Sequence, residues 1–279
     1  MAAGAVAGMA EHMMMYPVDT VKTRMQALGH PGQGLHGASV LRAMRVIVAR
    51  EGLGGLFKGL GAMALGAGPA HAVYFTAYEV AKEGMGGNRE GHHPLAAATA
   101  GAFATVAADA VMTPADVVKQ RLQLAHSPYA GVWDCTKRML REEGARPFFR
   151  SYGTTLIMNV PYTAIHFSTY ESAKLILRLD DGEEGIWTQM TAGAMAGGAA
   201  ASITTPFDVV KTRLQTEGVQ SRAQYGTKGA FSVMRHIIET EGVSALTRGM
   251  MPRVMYHVPA AAICFTTYEI CKHQLIHRK

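Results

Sequence analysis

One ten-residue pattern, Pro-x-Asp-x-x-Lys-x-Arg-x-Gln, occurs three times in this chain and carries most of its recognisable chemistry. The copies begin at Pro17, Pro114 and Pro206, so they return at nearly constant spacing. Such a recurrence indicates that one supersecondary unit is used three times. An Asp and a Lys three positions apart lie close together on one helix face, where they can form ion pairs within the helix or with a neighbouring helix.

A second pattern, Phe-x-x-Tyr-Glu-x-x-Lys preceded by a proline, closes each of the three units. Its prolines are Pro69, Pro161 and Pro259, and each stands ten residues before the glutamate of its unit. The tyrosines of this pattern and the glutamines of the first one are placed to hydrogen-bond the charged pairs. Each unit therefore carries acidic and basic side chains near the ends of two long helices.

Three charged pairs on three helices can join into a ring, in which the Lys of one helix pairs with the Asp of its neighbour. The alternative is a surface ion pair within each helix, worth roughly a few tenths of a kcal/mol. Charges inside a membrane are costly unless they are paired or face water, so their cyclic recurrence favours two gates around an aqueous cavity. The first predicted gate comprises Asp19, Lys22, Gln26, Asp116, Lys119, Gln123, Asp208, Lys211 and Gln215. The second comprises Tyr78, Glu79, Lys82, Tyr170, Glu171, Lys174, Tyr268, Glu269 and Lys272.

The helices that position these pairs are long, weakly charged and rich in small residues. The stretch from Gly59 to Tyr78 contains no Asp, Glu, Lys or Arg and is long enough to span a bilayer. Between the long helices, Val40 to Arg50 and its counterparts predict short amphipathic helices on the membrane surface. The sequence therefore predicts an all-α membrane protein with six transmembrane helices in three tandem repeats of pseudo-threefold symmetry. We place the repeats at residues 1–86, 92–178 and 186–275, together forming one transmembrane domain.

The composition agrees with a membrane protein and argues against several function classes. Hydrophobic residues make up 48% of the chain and charged residues 17%, whereas soluble domains average about 25% charged residues. The net charge of +6 suits anionic lipid, but no nucleic-acid-binding signature occurs, so no nucleic-acid partner is expected. The cysteines Cys135, Cys264 and Cys271 show no metal-site spacing. Since no nucleophile-elbow, P-loop or dinucleotide pattern occurs, we expect neither an enzyme nor a bound cofactor.

Positions that differ among the repeats are where a cargo should be recognised, because the gates use what the repeats share. The differing residues are histidines, an Asp, an Asn and a Met. Anionic cargo would need Lys or Arg there, whereas imidazole, thioether and carboxylate groups suit a divalent transition metal. A lone His or Met in a membrane helix is more often a packing residue, but three histidines on three helices favour a metal path. The predicted path comprises His12, His71, Asp109, Met158, Asn159 and His257.

Taken together, the two triple patterns resemble those of the mitochondrial carrier family over essentially the whole chain. The resemblance implies a multi-pass protein of the mitochondrial inner membrane, with the Asp/Lys gate on the matrix side and the Glu/Lys gate on the cytoplasmic side. It also implies which residues pair in the matrix ring, although the direction of pairing around the cytoplasmic ring stays open. The implied matrix pairs are Asp19–Lys119, Asp116–Lys211 and Asp208–Lys22.

A further family mark is an acidic-Gly pair followed by an aromatic-basic-Gly triplet. It is intact at Glu51-Gly52 and Phe57-Lys58-Gly59, but Ser151 and Thr247 depart from it in the other repeats. In the family these segments hold cardiolipin at helix N-termini, whose free N–H groups favour anions. The implied lipid-binding residues are Gly52, Lys58, Gly59, Gly144, Arg150, Gly242, Arg248 and Gly249.

The residues around His12, His71, Asp109 and Met158-Asn159 resemble those of the mitoferrin subfamily, which delivers iron to the matrix. This resemblance implies that a monomer in contact with inner-membrane lipid imports ferrous iron by alternating access. One alternative is a carrier of an organic cation or a nucleoside-like metabolite such as S-adenosylmethionine, with Asp109 as its charge partner. Another is a membrane scaffold with degenerate gates, which the complete charged pairs of all three repeats disfavour.

Overall fold

The chain folds into long helices joined by short ones, as seen in a computed structural model that describes residues 2–27, 39–85, 94–181, 186–219, 225, 229–257, 259–260 and 263. No strand occurs within these ranges. The long helices are α1 (Ala2–Gln26), α3 (Leu60–Gly84), α4 (Pro94–Gln123), α6 (Tyr152–Asp181) and α7 (Ile186–Thr216). The short helices are α2 (Val40–Glu51), α5 (Val132–Glu142) and α8 (Ala230–Glu241). Residues 250–257 begin a last helix.

Each long helix of this set contains one internal proline. In α1, α4 and α7 it is the first residue of the ten-residue pattern, at Pro17, Pro114 and Pro206. A proline removes one backbone hydrogen bond and clashes with the preceding turn, so it bends a helix where it stands. The charged pairs of the first gate therefore follow directly after the bends of α1, α4 and α7.

The short helices pack against the carboxyl-terminal ends of α1, α4 and α7. In α2, Val40, Ala43 and Ile47 are buried and join Val21 and Met25 of α1 in one apolar cluster. Equivalent clusters form in the second and third repeats. The apolar face of α2 therefore packs on α1, and the position of this helix on the membrane surface stays a prediction. Burying those side chains against α1 removes the same apolar area from water without lipid.

The long helices are arranged so that α3 packs along α4 and α6 packs along α7, while α1, α4 and α7 meet pairwise. Their outer surfaces expose large apolar side chains, among them Leu65, Phe103, Val160 and Ile203. By length and composition alone, one stretch of the described helices, Thr99–Gln123, is apolar enough to cross a membrane.

Candidate functional site

The first predicted gate is a closed ring of ion pairs between α1, α4 and α7. Lys119 Nζ lies 2.7 Å from Asp19 Oδ2, and Lys22 Nζ lies 2.9 Å from Asp208 Oδ2. The third pair is longer, with Lys211 Nζ 3.4 Å from Asp116 Oδ2. We call these three contacts the α1–α4, α7–α1 and α4–α7 joints, after the helices that carry the Asp and the Lys. Every Asp of the ring thus lies beside the Lys that the family resemblance implies.

Glutamine side chains support two of the three joints. Gln123 donates to Asp19 Oδ2 at 3.1 Å in the α1–α4 joint, and Gln26 donates to Asp208 Oδ2 at 2.8 Å in the α7–α1 joint. Gln215 of the α4–α7 joint is fully buried, yet neither its amide oxygen nor its amide nitrogen has a hydrogen-bond partner within the described chain. The sequence placed all three glutamines beside charged pairs, and the structure joins only two of them to an Asp.

Below the ring lies a second set of ion pairs, which the sequence reasoning missed. Arg24, at the end of α1, donates to both carboxylate oxygens of Glu51. Its counterparts in the other repeats are Arg121 with Glu143 and Arg213 with Glu241. Both partners recur in the sequence, the Arg in the ten-residue pattern and the Glu in the acidic-Gly pair, so this recurrence could have predicted the pairs.

These pairs change the acidity of the carboxyl groups on the short helices. Partial burial alone would raise the pKa of Glu51, but hydrogen bonds and charge from Arg24 and Lys58 outweigh it and lower the pKa to about 2. Partial burial of Glu241 is outweighed in the same way by Arg213 and Arg248, so the pKa of Glu241 is also lowered. Both carboxylates therefore stay ionised at neutral pH and hold the short helices to the ends of α1 and α7.

The basic residues of the implied lipid segments are each bound to a carboxylate. Lys58 Nζ lies 2.8 Å from Glu51, Arg150 lies 2.7 Å from Glu217, and Arg248 pairs with Glu241. The glycines stand beside them: Gly52 and Gly242 cap the ends of α2 and α8, Gly144 follows α5, Gly59 precedes α3, and Gly249 precedes the last helix. This places all eight implied lipid residues near the short helices, at the same end of the molecule as the ring.

The second predicted gate does not form a comparable ring in the described residues. Glu79 and Lys82 line an open cavity of about 650 Å³ near the end of α3, together with Tyr74, Phe75, Tyr78 and Glu83. Across the bundle, Lys174 Nζ lies over the ring of Tyr170 at 5.5 Å from its centroid, and Glu171 is exposed. Tyr268, Glu269 and Lys272 lie outside the described residues. Among the described residues, the Asp/Lys ring is closed, whereas Glu79 and Lys82 line a cavity.

Two further cavities lie between the two ends of the bundle. The first of them has a volume of about 540 Å³. It collects three of the predicted path residues, His12 of α1, His71 of α3 and Asp109 of α4, and borders the ring at Asp19, Asp116 and Lys119. We call it the acidic cavity, since three carboxylates and one lysine line it. Two thioethers that the sequence reasoning missed, Met63 and Met112, also line it. Met112 stands one helical turn after Asp109, a spacing that could have indicated it.

The remaining path residues, Met158, Asn159 and His257, line a second cavity of about 300 Å³. Here two carboxylates, Asp19 and Asp208, face three cationic side chains, Lys22, Lys211 and Arg253, so we call it the basic cavity. Arg253 is almost fully buried and lies 3.2 Å from Asp208 Oδ2 and 3.9 Å from the sulfur of Met158. A guanidinium thus occupies the approach to the thioether of Met158.

One hydrogen bond connects the two sets of path residues. Asn159 Nδ2 donates to Asp109 Oδ2 at 2.6 Å, which joins α6 to α4 at mid-cavity. Elsewhere the donors stay apart, since no group of three or more His, Cys, Asp or Glu side chains among the described residues is close enough to hold a metal ion. The structure therefore shows separated donor groups along a cavity wall and no closed coordination shell.

Comparison with known proteins identifies the repeats. The sequence profile described as Mitochondrial carrier protein matches three times, over residues 1–89, 90–181 and 182–279. A protein named Mitoferrin from Dictyostelium discoideum is 43% identical over 97% of this chain and 92% of its own length. Human Mitoferrin-2 is 42% identical over 100% of this chain and 78% of its length, and Mitoferrin-1 of Danio rerio is 43% identical over 99% and 84%. The predicted all-α fold of three repeats and both resemblances are thus confirmed, and the chain belongs to the mitochondrial carrier family.

Proposed function

We propose that this protein imports ferrous iron into the mitochondrial matrix by alternating access. It is a multi-pass protein of the inner membrane, and it acts as a transporter, with iron as its cargo and no cofactor. The observation that carries the proposal is the charge of the acidic cavity. Asp19 and Asp116 are paired with Lys119 and Lys211, so Asp109 is the carboxylate of this cavity that has no ion pair among the described residues. Its negative charge suits a cation and repels nucleotides, phosphate and carboxylates.

Within the acidic cavity, His12, His71 and Asp109 are the groups to which ferrous iron would bind. Imidazole and carboxylate are good ligands for first-row divalent metals, and the thioethers of Met63 and Met112 add soft donors on the same wall. Because these donors are spread along the wall, the metal is held weakly and passed on, as transport requires. The relatives named mitoferrin favour iron over the alternative cargo, an organic cation or a metabolite such as S-adenosylmethionine.

The basic cavity has a different part in this proposal. Met158, Asn159 and His257 remain on the proposed path, but Arg253 keeps an unneutralised cation away from the sulfur of Met158. Asn159 acts instead through Asp109, because its amide fixes one carboxylate oxygen and leaves the other for the metal. His257 contacts the ring of Tyr162 in the same cavity and serves the cargo only at a later stage of transport.

The two rings are the gates of this cycle. In this proposal the closed Asp/Lys ring shuts the matrix side, and the cavity beside Glu79 faces the cytoplasmic side. Transport then requires the Asp/Lys ring to break and the Glu/Lys ring to form. Three Asp–Lys pairs that hold one another across α1, α4 and α7 support this role, because each pair crosses from one repeat to the next.

We further propose that the chain works as a monomer with cardiolipin bound at the three segments around Gly52, Gly144 and Gly242. The three repeats, residues 1–86, 92–178 and 186–275, form one transmembrane domain, since the ring needs all of them. The engaged side chains of Lys58, Arg150 and Arg248 leave the backbone N–H groups at the following helix starts as the phosphate donors.

The decisive experiment is uptake of ferrous iron into cardiolipin-containing liposomes that hold the purified protein. We expect uptake above that of empty liposomes, and loss of most of it in a His71→Ala, Met158→Ala double variant that is still folded. The matched control is His236→Ala, since His236 lies on α8 outside both cavities. No uptake by the native protein would contradict iron as cargo and favour an organic cation.

A further inference from the structure

The three joints of the matrix ring are built from equivalent residues, so their differences can be compared position by position. In the α1–α4 joint, the hydroxyl of Thr23 donates to the amide oxygen of Gln123 at 2.9 Å. In the α7–α1 joint, the hydroxyl of Thr212 donates to the amide oxygen of Gln26 at 3.0 Å. Each glutamine is thereby fixed at both ends, with its oxygen on a threonine and its nitrogen on an Asp.

The α4–α7 joint has Gln120 where the other two have threonine. The side chain of Gln120 is almost fully buried, and its amide oxygen has no hydrogen-bond partner in the described chain. Gln215, which should bridge this joint, is fully buried with both polar atoms unpartnered. Buried amides without partners are rare and costly. The joint therefore contains two glutamines and none of the bridging hydrogen bonds found in the other joints.

The second repeat also differs from the other two at a glycine position. A Cβ on Gly249 would lie 2.7 Å from Cγ of Gln26, and one on Gly59 would lie 2.9 Å from the carbonyl oxygen of Lys119. Both contacts are closer than real Cβ atoms show, so the α7–α1 and α1–α4 joints depend on glycine. The equivalent residue of the second repeat is Ser151, which is fully buried with an unpartnered hydroxyl.

Two further contacts support the other ion pairs of the ring. Asp208 of the α7–α1 joint receives Arg253 as a further partner at 3.2 Å. Lys119 of the α1–α4 joint lies over the ring of Tyr16, 5.4 Å from its centroid. The α4–α7 joint has the longest ion pair, at 3.4 Å, and is the least supported within the ring. Outside the ring, Arg121 and Arg150 still join the second repeat to Glu217, which follows α7.

We propose that Gln120 makes the α4–α7 ion pair the first of the ring to break when the matrix gate opens. Gln120 is a positioning residue, because it acts by leaving Gln215 without a partner. The inference rests on the proposed gate function of the ring, but it does not depend on which cargo is carried.

The first test needs no cargo. Hydrogen exchange of backbone amides, measured on the purified protein in lipid nanodiscs, reports local opening. We expect the carboxyl-terminal turns of α4 and α7 to exchange faster than that of α1, which belongs to the two stronger joints. Gln120→Thr installs the residue of the other repeats and should slow exchange in both α4 and α7. Equal exchange in all three helices, or no change in the variant, would overturn the proposal.

The second test separates gating from folding. One restored hydrogen bond corresponds to about a fivefold change in an equilibrium, so Gln120→Thr should lower the turnover number for uptake by about that factor and leave KM unchanged. The matched control, Thr23→Gln, weakens the α1–α4 joint, and combining it with Gln120→Thr should return turnover towards the native value. A Gln120→Thr protein with higher thermal stability but unchanged turnover would show a structural role only and overturn the proposal. Absence of iron uptake by the native protein would contradict the proposed iron import, but it would not affect the hydrogen-exchange test of the ring.

Discussion

The acidic and basic cavities lie side by side above the same ring but differ in sign. The acidic cavity has three carboxylates and one lysine, whereas the basic cavity has two carboxylates and three cationic side chains. Both contain residues that the sequence assigned to one continuous metal path. The difference shows that a ligand type is not enough to place a metal, because the charge of the surrounding groups decides whether the ligand is accessible to a cation.

The largest expected effect comes from removing the charge of Asp109. Asp109→Asn keeps the size of the side chain, and its amide oxygen can still accept from Asn159, but the acidic cavity loses the one carboxylate that has no ion pair among the described residues. We expect initial iron uptake to fall by about tenfold or more, corresponding to about 1.4 kcal/mol. The measurement is initial-rate uptake into liposomes over a range of iron concentrations.

A suitable control for this variant is Glu239→Gln, which removes an exposed carboxylate paired with Arg235 on α8. It should leave uptake unchanged. If Asp109→Asn transports iron as well as the native protein, the acidic cavity is not the metal site and the comparison fails.

Removing the two histidines of the acidic cavity should have the next largest effect. Imidazole is a good ligand for first-row divalent metals, so iron uptake by a His12→Ala, His71→Ala variant should fall several-fold. The measurement is initial-rate uptake into liposomes, compared with the His236→Ala control. Native uptake by the double variant would count against histidine ligation.

Arg253 tests the basic cavity. Its guanidinium donates to the hydroxyl and carbonyl oxygens of Thr204 and pairs with Asp208. Arg253→Gln should lower the free energy of unfolding by about 1–3 kcal/mol because buried partners are left unpaired. It should change the KM for iron by less than about twofold, since the metal binds in the other cavity. Thermal unfolding measures the change in stability and liposome uptake measures the change in KM, each compared with the Arg253→Lys variant. A large rise in KM would show that the metal also binds in the basic cavity.

The smallest effect concerns a region outside both cavities, at Glu51 and Glu241. The pKa of Glu51 is about 2 in the folded protein against an ordinary value of 4.5, so the folded state binds fewer protons than the unfolded state between these values. Its contribution to stability is complete above pH 4.5 and is lost as the pH falls towards about 2. Thermal unfolding should therefore be insensitive to this group above pH 5 or so. A Glu51→Gln variant should be less stable at neutral pH, and its deficit should shrink on acidification.

The sequence predicted the shared features of the three repeats better than their differences. The repeats and the long helices follow from patterns that recur three times, and the partners in the matrix ring are those that the family resemblance implies. The packing of α2 on α1 could not be predicted, since an amphipathic helix has the same periodicity whether its apolar face contacts lipid or protein. Arg253 contacts Met158 in the basic cavity, and Gln215 has no hydrogen-bond partner in the described chain. Both features depend on side chains from other repeats, so the spacing of residues along the sequence could not predict them.

The pairing of every Asp in the ring with a Lys has a consequence for the energetics of the inner membrane. Three carboxylates and three ammonium groups cancel, so the closed ring as a whole carries no net charge on which a transmembrane voltage could act. A ferrous ion, by contrast, carries two charges and gains about 2.3 kcal/mol per charge for every 100 mV when it moves to the negative side. The membrane potential therefore acts on the cargo rather than on the closed ring.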